Sequence, residues 1–260
     1  MTAEAVFVQD GDTFRATDLA LGPWHPGALH GGAPAALLVH ALAEHPVPEP
    51  LRLARITYEF VRPVPVGPLR VEIAVVRPGR RVTLLDASLH DPQDTVVTRA
   101  RALLLTPSEL GEPADDEPPP FPGPGDATAN DWHEPGRTMF ATDAMEIRFA
   151  QGRFRDPGAA TAWFRLRHPL VAGRPTRPLE LLAAAADFGN GIASELTWDE
   201  HTFINPDLTV QIEREPGGEW VALQSQMRVA PGSVAVAESV LWDERGRLGR
   251  ATQSLLVERR

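Results

Sequence analysis

The feature that most constrains this chain is an internal repeat that relates its two halves at a nearly constant spacing. Three pairs of segments share a similar pattern of residues, at spacings of 209 − 57 = 152, 243 − 91 = 152 and 250 − 99 = 151 residues. The paired segments are 56–62 with 208–214, 82–91 with 234–243, and 99–100 with 250–251. Since a single short match can arise by chance, the shared spacing carries the inference, and it predicts a duplicated structural unit.

Each half predicts the same order of elements: one or two strands, then one helix, then about four antiparallel strands. In the first half, the Ala- and Leu-rich segment 32–44 predicts a helix that ends before Pro46. In the second half, Pro178 suits the first turn of a helix that extends to about Gly189 or beyond. The predicted strands are 52–62, 68–78, 81–91 and 95–105, and then 205–214, 219–229, 233–243 and 248–258.

A segment rich in proline and acidic residues, 106–136, separates the two halves. Such a composition cannot hold a helix or a central strand, so we divide the chain into unit 1–105, linker 106–136 and unit 137–260. One helix cannot cover the apolar face of a long sheet in a module of this size. We therefore expect an α+β fold in which the two units pair edge to edge, forming one continuous antiparallel sheet around two central helices.

The composition excludes several classes of function. The 260 residues carry a net charge of −10 and include neither cysteine nor lysine, which rules out thiolate chemistry, Schiff bases and the lysine of a P-loop. No basic groove for nucleic acid, metal-ligand spacing or phosphate-binding glycine motif is recognisable, so no cofactor and no metal are expected. No apolar run approaches the roughly 20 residues of a membrane span, and no secretory signal is recognisable. We expect a cytoplasmic protein, with a homo-oligomer left open.

Four short segments resemble the acyl-CoA thioesterase II family, whose members have a double hotdog fold. These segments are 30–32 (HGG), 187–191 (DFGNG), 203–209 (FINPDLT) and 251–253 (ATQ). Their order and spacing cover nearly the whole chain outside the linker. The resemblance implies hydrolysis of acyl-CoA to a free acid and coenzyme A, with the acyl chain between helix and sheet.

The resemblance also assigns roles to individual residues. In that family an Asp, a Ser or Thr, and a Gln of the second unit hold the attacking water. Asp187 and Gln253 match the Asp and the Gln, whereas the hydroxyl position falls on or near Asn205, with Thr209 further along the strand. This is a departure from the family pattern. In related hotdog enzymes a glycine amide at a helix start stabilises the oxyanion, which points here to the segment His30-Gly31-Gly32.

The duplication provides an internal comparison for these polar residues. With the spacings above, Asp187 falls on Ala35 or Ala36, Asn205 on Leu53 and Gln253 on Ala102. Since the fold accepts apolar residues at the equivalent positions, the polar ones are candidates for function.

Each candidate also has a structural interpretation. Asp187 could face solvent or cap nearby backbone, and Gln253 could be an exposed strand residue. Asn205 could be a turn residue, Thr209 an ordinary strand residue and His30 a packing residue. Two other functions stay open. One is a hotdog hydratase or dehydratase of enoyl thioesters, although the Asp-His motif expected of it is absent. The other is a non-catalytic acyl-CoA binding protein.

Overall fold

The predicted duplication is visible in the order of the structural elements. The structure is a computed structural model that describes residues 4–107, 117–232 and 234–260. The first half contains β1 (Phe7–Asp10), β2 (Thr13–Ala16), α1 (Gly32–Glu44), β3 (Arg52–Phe60), β4 (Pro68–Arg77), β5 (Val82–His90) and β6 (Val96–Leu105). The second contains β7 (Thr128–Ala129), β8 (Met145–Gln151), β9 (Ala160–Leu166), α2 (Pro178–Ala186), α3 (Gly189–Ile192), β10 (His201–Ile204), β11 (Asp207–Ile212), β12 (Val221–Val229), β13 (Ala235–Asp243) and β14 (Gly246–Arg259).

The observed bounds confirm most of the predicted elements. Helix α1 has the predicted bounds, and each of the eight predicted strands is present with its ends within two residues of the prediction. Ser233, at the start of the predicted strand 233–243, lies outside the described residues. Two details differ: the second helix already ends at Ala186, and strand β10 was not predicted.

Within the described residues, all of the strands belong to one antiparallel sheet. Its order is β1-β2-β4-β5-β6-β3-β11-β14-β13-β12-β9-β8-β7, and β10 pairs with β14 outside this path. The two halves therefore meet at the pair formed by β3 and β11. This arrangement confirms the predicted double hotdog fold, in which α1 and α2 lie together and contact the sheet.

A local two-fold axis relates the halves, and it passes through the repeat mates Thr57 and Thr209. These residues are direct partners in the β3–β11 pair, and their hydroxyls are 3.2 Å apart. The same spacing relates Gly32 of α1 to Ala184 of α2, since 184 − 32 = 152. A methyl group added to Gly32 would lie 2.4 Å from the Ala184 carbonyl oxygen, so the two helices cross there in backbone contact.

Small side chains allow this close crossing and leave the larger ones to fill the core. Residues 183–186 of α2 are alanines with 0–3% exposure. Leu37 and Leu38 of α1 and Tyr58 of β3 are fully buried. Tyr58 donates its hydroxyl proton to the Ala35 carbonyl at 3.2 Å, which satisfies its polar end.

Part of the predicted linker packs on the second half. Residues 108–116 lie outside the described residues. Beyond them, Phe121 contacts the rings of Trp163 and Trp242, and Trp163 Nε1 donates to the Pro122 carbonyl at 2.8 Å. Strand β7 also pairs with β8 at the end of the sheet. The proline-rich segment therefore covers one face of the second unit and extends its edge.

Among the described residues, no helix is both long and apolar enough to cross a bilayer.

Two repeat mates, Asp91 and Asp243, bind backbone amides in equivalent hairpin turns. Asp91 accepts from the amides of Gln93 and Thr95 at 2.9 and 2.8 Å. Asp243, which has no solvent exposure, accepts from the amides of Gly217, Arg245 and Gly246. Arg214 also donates to Asp243, at 2.8 Å, so the buried carboxylate has both a counter-charge and hydrogen bonds.

We predict that Asp243→Asn lowers the free energy of unfolding by about 3 kcal/mol near neutral pH, because it leaves Arg214 without its buried partner. Burial acts to raise the pKa of Asp243, but hydrogen bonds from Arg214 and from backbone amides outweigh it and lower this pKa from 3.8 to about 2. The stabilisation is therefore present above pH 4 and is lost as the pH falls towards 2, roughly the range between the two pKa values. Urea unfolding of both proteins at pH 7 and at pH 3 measures the effect.

The control is Glu213→Gln, which removes an ion pair with Arg247 whose two side chains are about half exposed. This substitution is expected to lower the free energy of unfolding by less than about 1 kcal/mol. Equal effects of the two substitutions, or an Asp243→Asn effect that does not shrink in acid, would contradict the interpretation.

Candidate active site

Asp187 lies where the C-terminus of α2 meets the N-terminus of α1. It caps α2, and its side chain is 5% exposed. A methyl group added to Gly31, just before α1, would lie 2.7 Å from Asp187 Oδ2. The negative end of the α2 dipole disfavours a carboxylate here, whereas the positive end of α1 favours it. Both halves of the chain therefore contribute to the environment of this one acid.

Three side chains from separate segments converge on the Asp187 carboxylate. Asn205 Nδ2 donates to Oδ1 at 2.8 Å, and Gln253 Nε2 lies 3.5 Å from the same oxygen. His30 Nδ1 lies 3.1 Å from Oδ2. The structure thus brings together four residues that sequence reasoning singled out, from the loop before α1, the end of α2, the loop before β11, and β14.

Gln253 mainly holds the backbone at the end of α2. It is 2% exposed, its Nε2 donates to the Asp187 carbonyl at 3.2 Å, and its Oε1 accepts from the Asn190 amide at 3.0 Å. Gly189 permits this contact, because a methyl group there would lie 2.9 Å from Gln253 Oε1. These bonds explain why α2 stops at Ala186 and α3 begins at Gly189. The repeat mate of Gln253, Ala102, is a buried alanine.

His30 packs against two phenylalanine rings that also contact each other, and one of its nitrogens faces the carboxylate. Its ring centroid is 4.4 Å from that of Phe188 and 5.3 Å from that of Phe140. Its Nδ1 is 3.1 Å from Asp187 Oδ2 and also 3.1 Å from the Gly32 amide nitrogen. His30 therefore packs against aromatic rings, as its structural interpretation expected, and also contacts the candidate base directly.

Thr209 lies away from these residues, which corrects its assignment as a candidate for the hydroxyl position. Its hydroxyl contacts Thr57 on the local two-fold axis. Its neighbours Leu208 and Val210 are fully buried, so strand alternation turns Thr209 to the opposite face of the sheet. Only Asn205 occupies the place next to Asp187 that the resemblance gives to a hydroxyl.

Tyr58 is the second titratable side chain close to the carboxylate. Burial raises its pKa well above the ordinary value, and the charge of Asp187 adds to this effect. The phenol therefore stays protonated at neutral pH.

A cavity of about 890 Å³ opens beside Asp187 and is lined by loops rather than by the inner faces of the helices. His30, Gly31 and Asn205 also line it, whereas Gln253 lies behind its wall. This cavity lies at the helix ends, whereas the acyl chain was expected between helix and sheet, and that expectation stays a prediction. The volume of the cavity falls in the range of small-molecule sites.

Sequence reasoning missed the aromatic wall of this cavity, to which Trp24, Trp132, Phe154 and Trp198 contribute. The Trp24 and Trp198 rings stack with their centroids 5.1 Å apart, and Phe154 contacts both Trp132 and Trp198. The only sequence signal was that three of the six tryptophans lie in predicted loops, where large aromatic residues have no core to fill. Because these tryptophans are far apart along the chain, the sequence did not predict that they form a cluster.

Cationic side chains lie around the same cavity. Arg62, Arg155 and Arg260 are exposed residues of its lining, while Arg137 donates to the Gly22 and Pro23 carbonyls. In the described ranges, no three His, Asp or Glu side chains gather in an arrangement that could hold a metal ion. The arrangement at Asp187 can accept a proton, and it lies beside a cavity large enough for an organic ligand.

Family profiles match both halves of the chain. The N-terminal domain of acyl-CoA thioesterases matches residues 20–105, and their C-terminal domain matches residues 113–257. No curated protein sequence matches.

Solved structures agree in fold. A protein of Thermobifida fusca YX described as a thioesterase II is 22% identical, with 98% of this chain and 96% of that chain covered and a TM-score of 0.76. A hot dog protein of Alicyclobacillus acidocaldarius is 20% identical, with coverages of 99% and 97% and a TM-score of 0.74. Acyl-CoA thioesterase II of Mycobacterium marinum is 17% identical, with coverages of 96% and 92% and a TM-score of 0.61.

Both domain matches fall on the two halves that the repeat and the sheet define, and the chain therefore belongs to the acyl-CoA thioesterase family.

Proposed function

We propose that the protein hydrolyses acyl-CoA thioesters by direct attack of water, with Asp187 as the general base. The observation that carries this proposal is the position of Asp187, a nearly buried carboxylate in the wall of a large cavity. Asn205 of the second half donates to it, and His30 Nδ1 of the first half lies 3.1 Å from its Oδ2. A carboxylate held in this way can take a proton from a water molecule in the cavity. The family match supports the thioester as substrate.

Asn205 is the residue best placed to orient that water. Its Nδ2 donates both to Asp187 Oδ1 and to the Asp207 carbonyl, which fixes the side chain in one orientation. Its Oδ1 is then left to accept from a ligand in the cavity. We therefore assign to Asn205 the role that a hydroxyl has in the family pattern, and to Gln253 the positioning of Asp187 through its backbone carbonyl.

The amides at the start of α1 are the candidates for oxyanion stabilisation. Gly31 lines the cavity next to Asp187, and Gly32 opens a helix of 13 residues. The first amides of a helix lack intrahelical acceptors and carry the positive end of its dipole. A thioester carbonyl bound there would place its carbon close to a water on Asp187.

The proposed reaction balances without a covalent enzyme intermediate. The oxygen of water bonds to the carbonyl carbon while Asp187 takes one proton, and the amides at the start of α1 hold the oxyanion. The carbon–sulfur bond then breaks, and the thiolate of coenzyme A takes the proton back from Asp187. The products are a free carboxylic acid and coenzyme A.

One observation favours a second candidate, hydration of an enoyl thioester. No short Asp-His motif exists in the sequence, but the fold pairs His30 of one half with Asp187 of the other. Such a pair could also activate water for addition to a carbon–carbon double bond. Hydration leaves the thioester intact, so it consumes enoyl-CoA without releasing a thiol, whereas a binding protein without activity does neither.

We predict that Asp187→Asn lowers kcat by about 1,000-fold, because the isosteric amide cannot accept the proton of water. Thiol release from a panel of saturated, enoyl and aromatic acyl-CoAs measures the rate. The control is Asp86→Asn, which removes a half-exposed acid paired with Arg101 on β6. It is expected to retain the wild-type rate. Thiol release that persists in Asp187→Asn would refute the proposed base.

We predict that Asn205→Ala lowers kcat about 100-fold, since both the donor to Asp187 and the proposed acceptor for water are lost. Asn205→Thr should recover part of the loss, because a hydroxyl can donate to the carboxylate and accept from water. Steady-state kinetics with the best substrate of the panel compares the three proteins. Wild-type kcat in the alanine variant would remove Asn205 from the mechanism.

We predict that Gly31→Ala lowers kcat but leaves the thermal midpoint nearly unchanged. The added methyl group would lie 2.7 Å from Asp187 Oδ2 and would displace this side chain from its hydrogen bond with Asn205. Gly32→Ala should instead lower the thermal midpoint, because its methyl group would lie 2.4 Å from the backbone oxygen of Ala184. Thermal unfolding and thiol release on both variants separate the effects, and an equal loss of stability in both would contradict this distinction.

A further inference from the structure

The single Nδ1 atom of His30 faces two groups that make opposite demands on it. The Gly32 amide, 3.1 Å away, is a donor and requires the nitrogen lone pair. Asp187 Oδ2, also 3.1 Å away, is an acceptor and requires a proton on the nitrogen unless the acid carries one itself. Nδ1 cannot satisfy an ionised Asp187 and the Gly32 amide at the same time. One tautomer serves the acid, and the other serves the amide.

The imidazole ring has little room to move away from either of these two groups. His30 is stacked on Phe188 and tilted against Phe140, and its side chain is only 12% exposed. Asp187 is fixed from the other side by Asn205, and its side chain is 5% exposed. Two lone pairs 3.1 Å apart in such a site repel each other, so one proton must lie between these atoms.

We propose that His30 is a positioning residue that keeps its proton on Nδ1, and so holds the Asp187 carboxylate as a base and leaves the Gly32 amide to the oxyanion. This inference rests on the proposed function of Asp187. With the proton on Nδ1, Oδ2 accepts from His30 while Oδ1 accepts from Asn205, and the ionised carboxylate keeps further lone pairs that can accept from water. Without a proton on Nδ1, the imidazole accepts from the Gly32 amide, and Asp187 must carry the proton itself. Asp187 then cannot act as a base, and the Gly32 amide cannot hold the oxyanion.

The titratable groups around this pair are few. Tyr58 on β3 stays protonated and donates to a backbone carbonyl, and it therefore adds no charge. The cavity wall carries further charged or titratable side chains, namely His25, Arg62, Glu134, Arg137, Arg155 and Arg260. The tautomer of His30 is therefore decided chiefly by Asp187 and the Gly32 amide, the two groups that contact Nδ1.

Nitrogen NMR of protein labelled with 15N-histidine tests the tautomer without relying on activity. We expect Nδ1 of His30 to be protonated at the pH of maximal activity, and this proton to leave Nδ1 in Asp187→Asn, where the amide group can donate to it. His30→Asn, which lacks the imidazole, assigns the signals. A bare Nδ1 in the active wild-type protein overturns the inference, whatever the behaviour of any variant.

Kinetics provides the second readout, with two matched variants. His30→Phe keeps an aromatic ring packed against Phe140 and Phe188 but has no donor, so kcat should fall about 10- to 100-fold with little change in KM. His30→Asn can place an amide donor near the position of Nδ1 and should recover most of the loss.

The outcomes separate this inference from the proposed function. If the wild-type protein releases no thiol from any acyl-CoA of the panel, the proposed function is refuted. Thiol release by Asp187→Asn at the wild-type rate refutes Asp187 as the base, and this inference with it. An inactive Asp187→Asn together with a fully active His30→Phe refutes only the role of His30. Thermal unfolding of each variant identifies losses of rate that come from misfolding, and the NMR measurement on the wild-type protein decides the matter if His30→Phe does not fold.

Discussion

The backbone contact between α1 and α2 is the constraint on which the rest of the structure depends. Gly32 lies against the Ala184 carbonyl, with no room for a methyl group between them. Because the helices cross this closely, the start of α1 and the end of α2 occupy the same small volume. The loop before α1 can then place His30 and Gly31 against an acid that belongs to the other half. A larger residue at this crossing would separate the two parts of the site.

The duplication explains why only one such site is found among the described residues. The local two-fold axis at Thr57 and Thr209 gives each half an equivalent scaffold. The positions equivalent to Asp187 and Gln253 are Ala35 and Ala102, which are buried and apolar. A carboxylate is costly to bury without donors, so an unused copy gains stability from alanine. The polar residues are therefore concentrated at the site around Asp187, whereas the equivalent positions in the first half contribute to the apolar core.

The polar residues around Asp187 show how a buried carboxyl group is supported by hydrogen bonds. Asn205 donates directly to the carboxylate, Gln253 holds the backbone that carries it, and His30 faces its second oxygen. Each of these side chains is itself fixed by a neighbour: Asn205 by the Asp207 carbonyl, Gln253 by the Asn190 amide and His30 by aromatic rings. Such a supported arrangement keeps the base in place before a substrate binds.

The sequence by itself determined the duplication and the bounds of α1 and the predicted strands, because alternation of apolar residues and a constant repeat spacing can be read directly along the chain. The family resemblance added the candidates Asp187, Gln253, Asn205 and Thr209 and the segment His30-Gly31-Gly32, and the repeat supported three of them by placing apolar residues at the equivalent positions. Only the tertiary structure could show that Thr209 faces the opposite side of the sheet, that Gln253 binds backbone rather than the cavity, and that His30 contacts Asp187. It also assembled the aromatic wall from tryptophans far apart in the chain. These facts depend on which side chains meet across the helix crossing and between loops, and no spacing along the sequence encodes that.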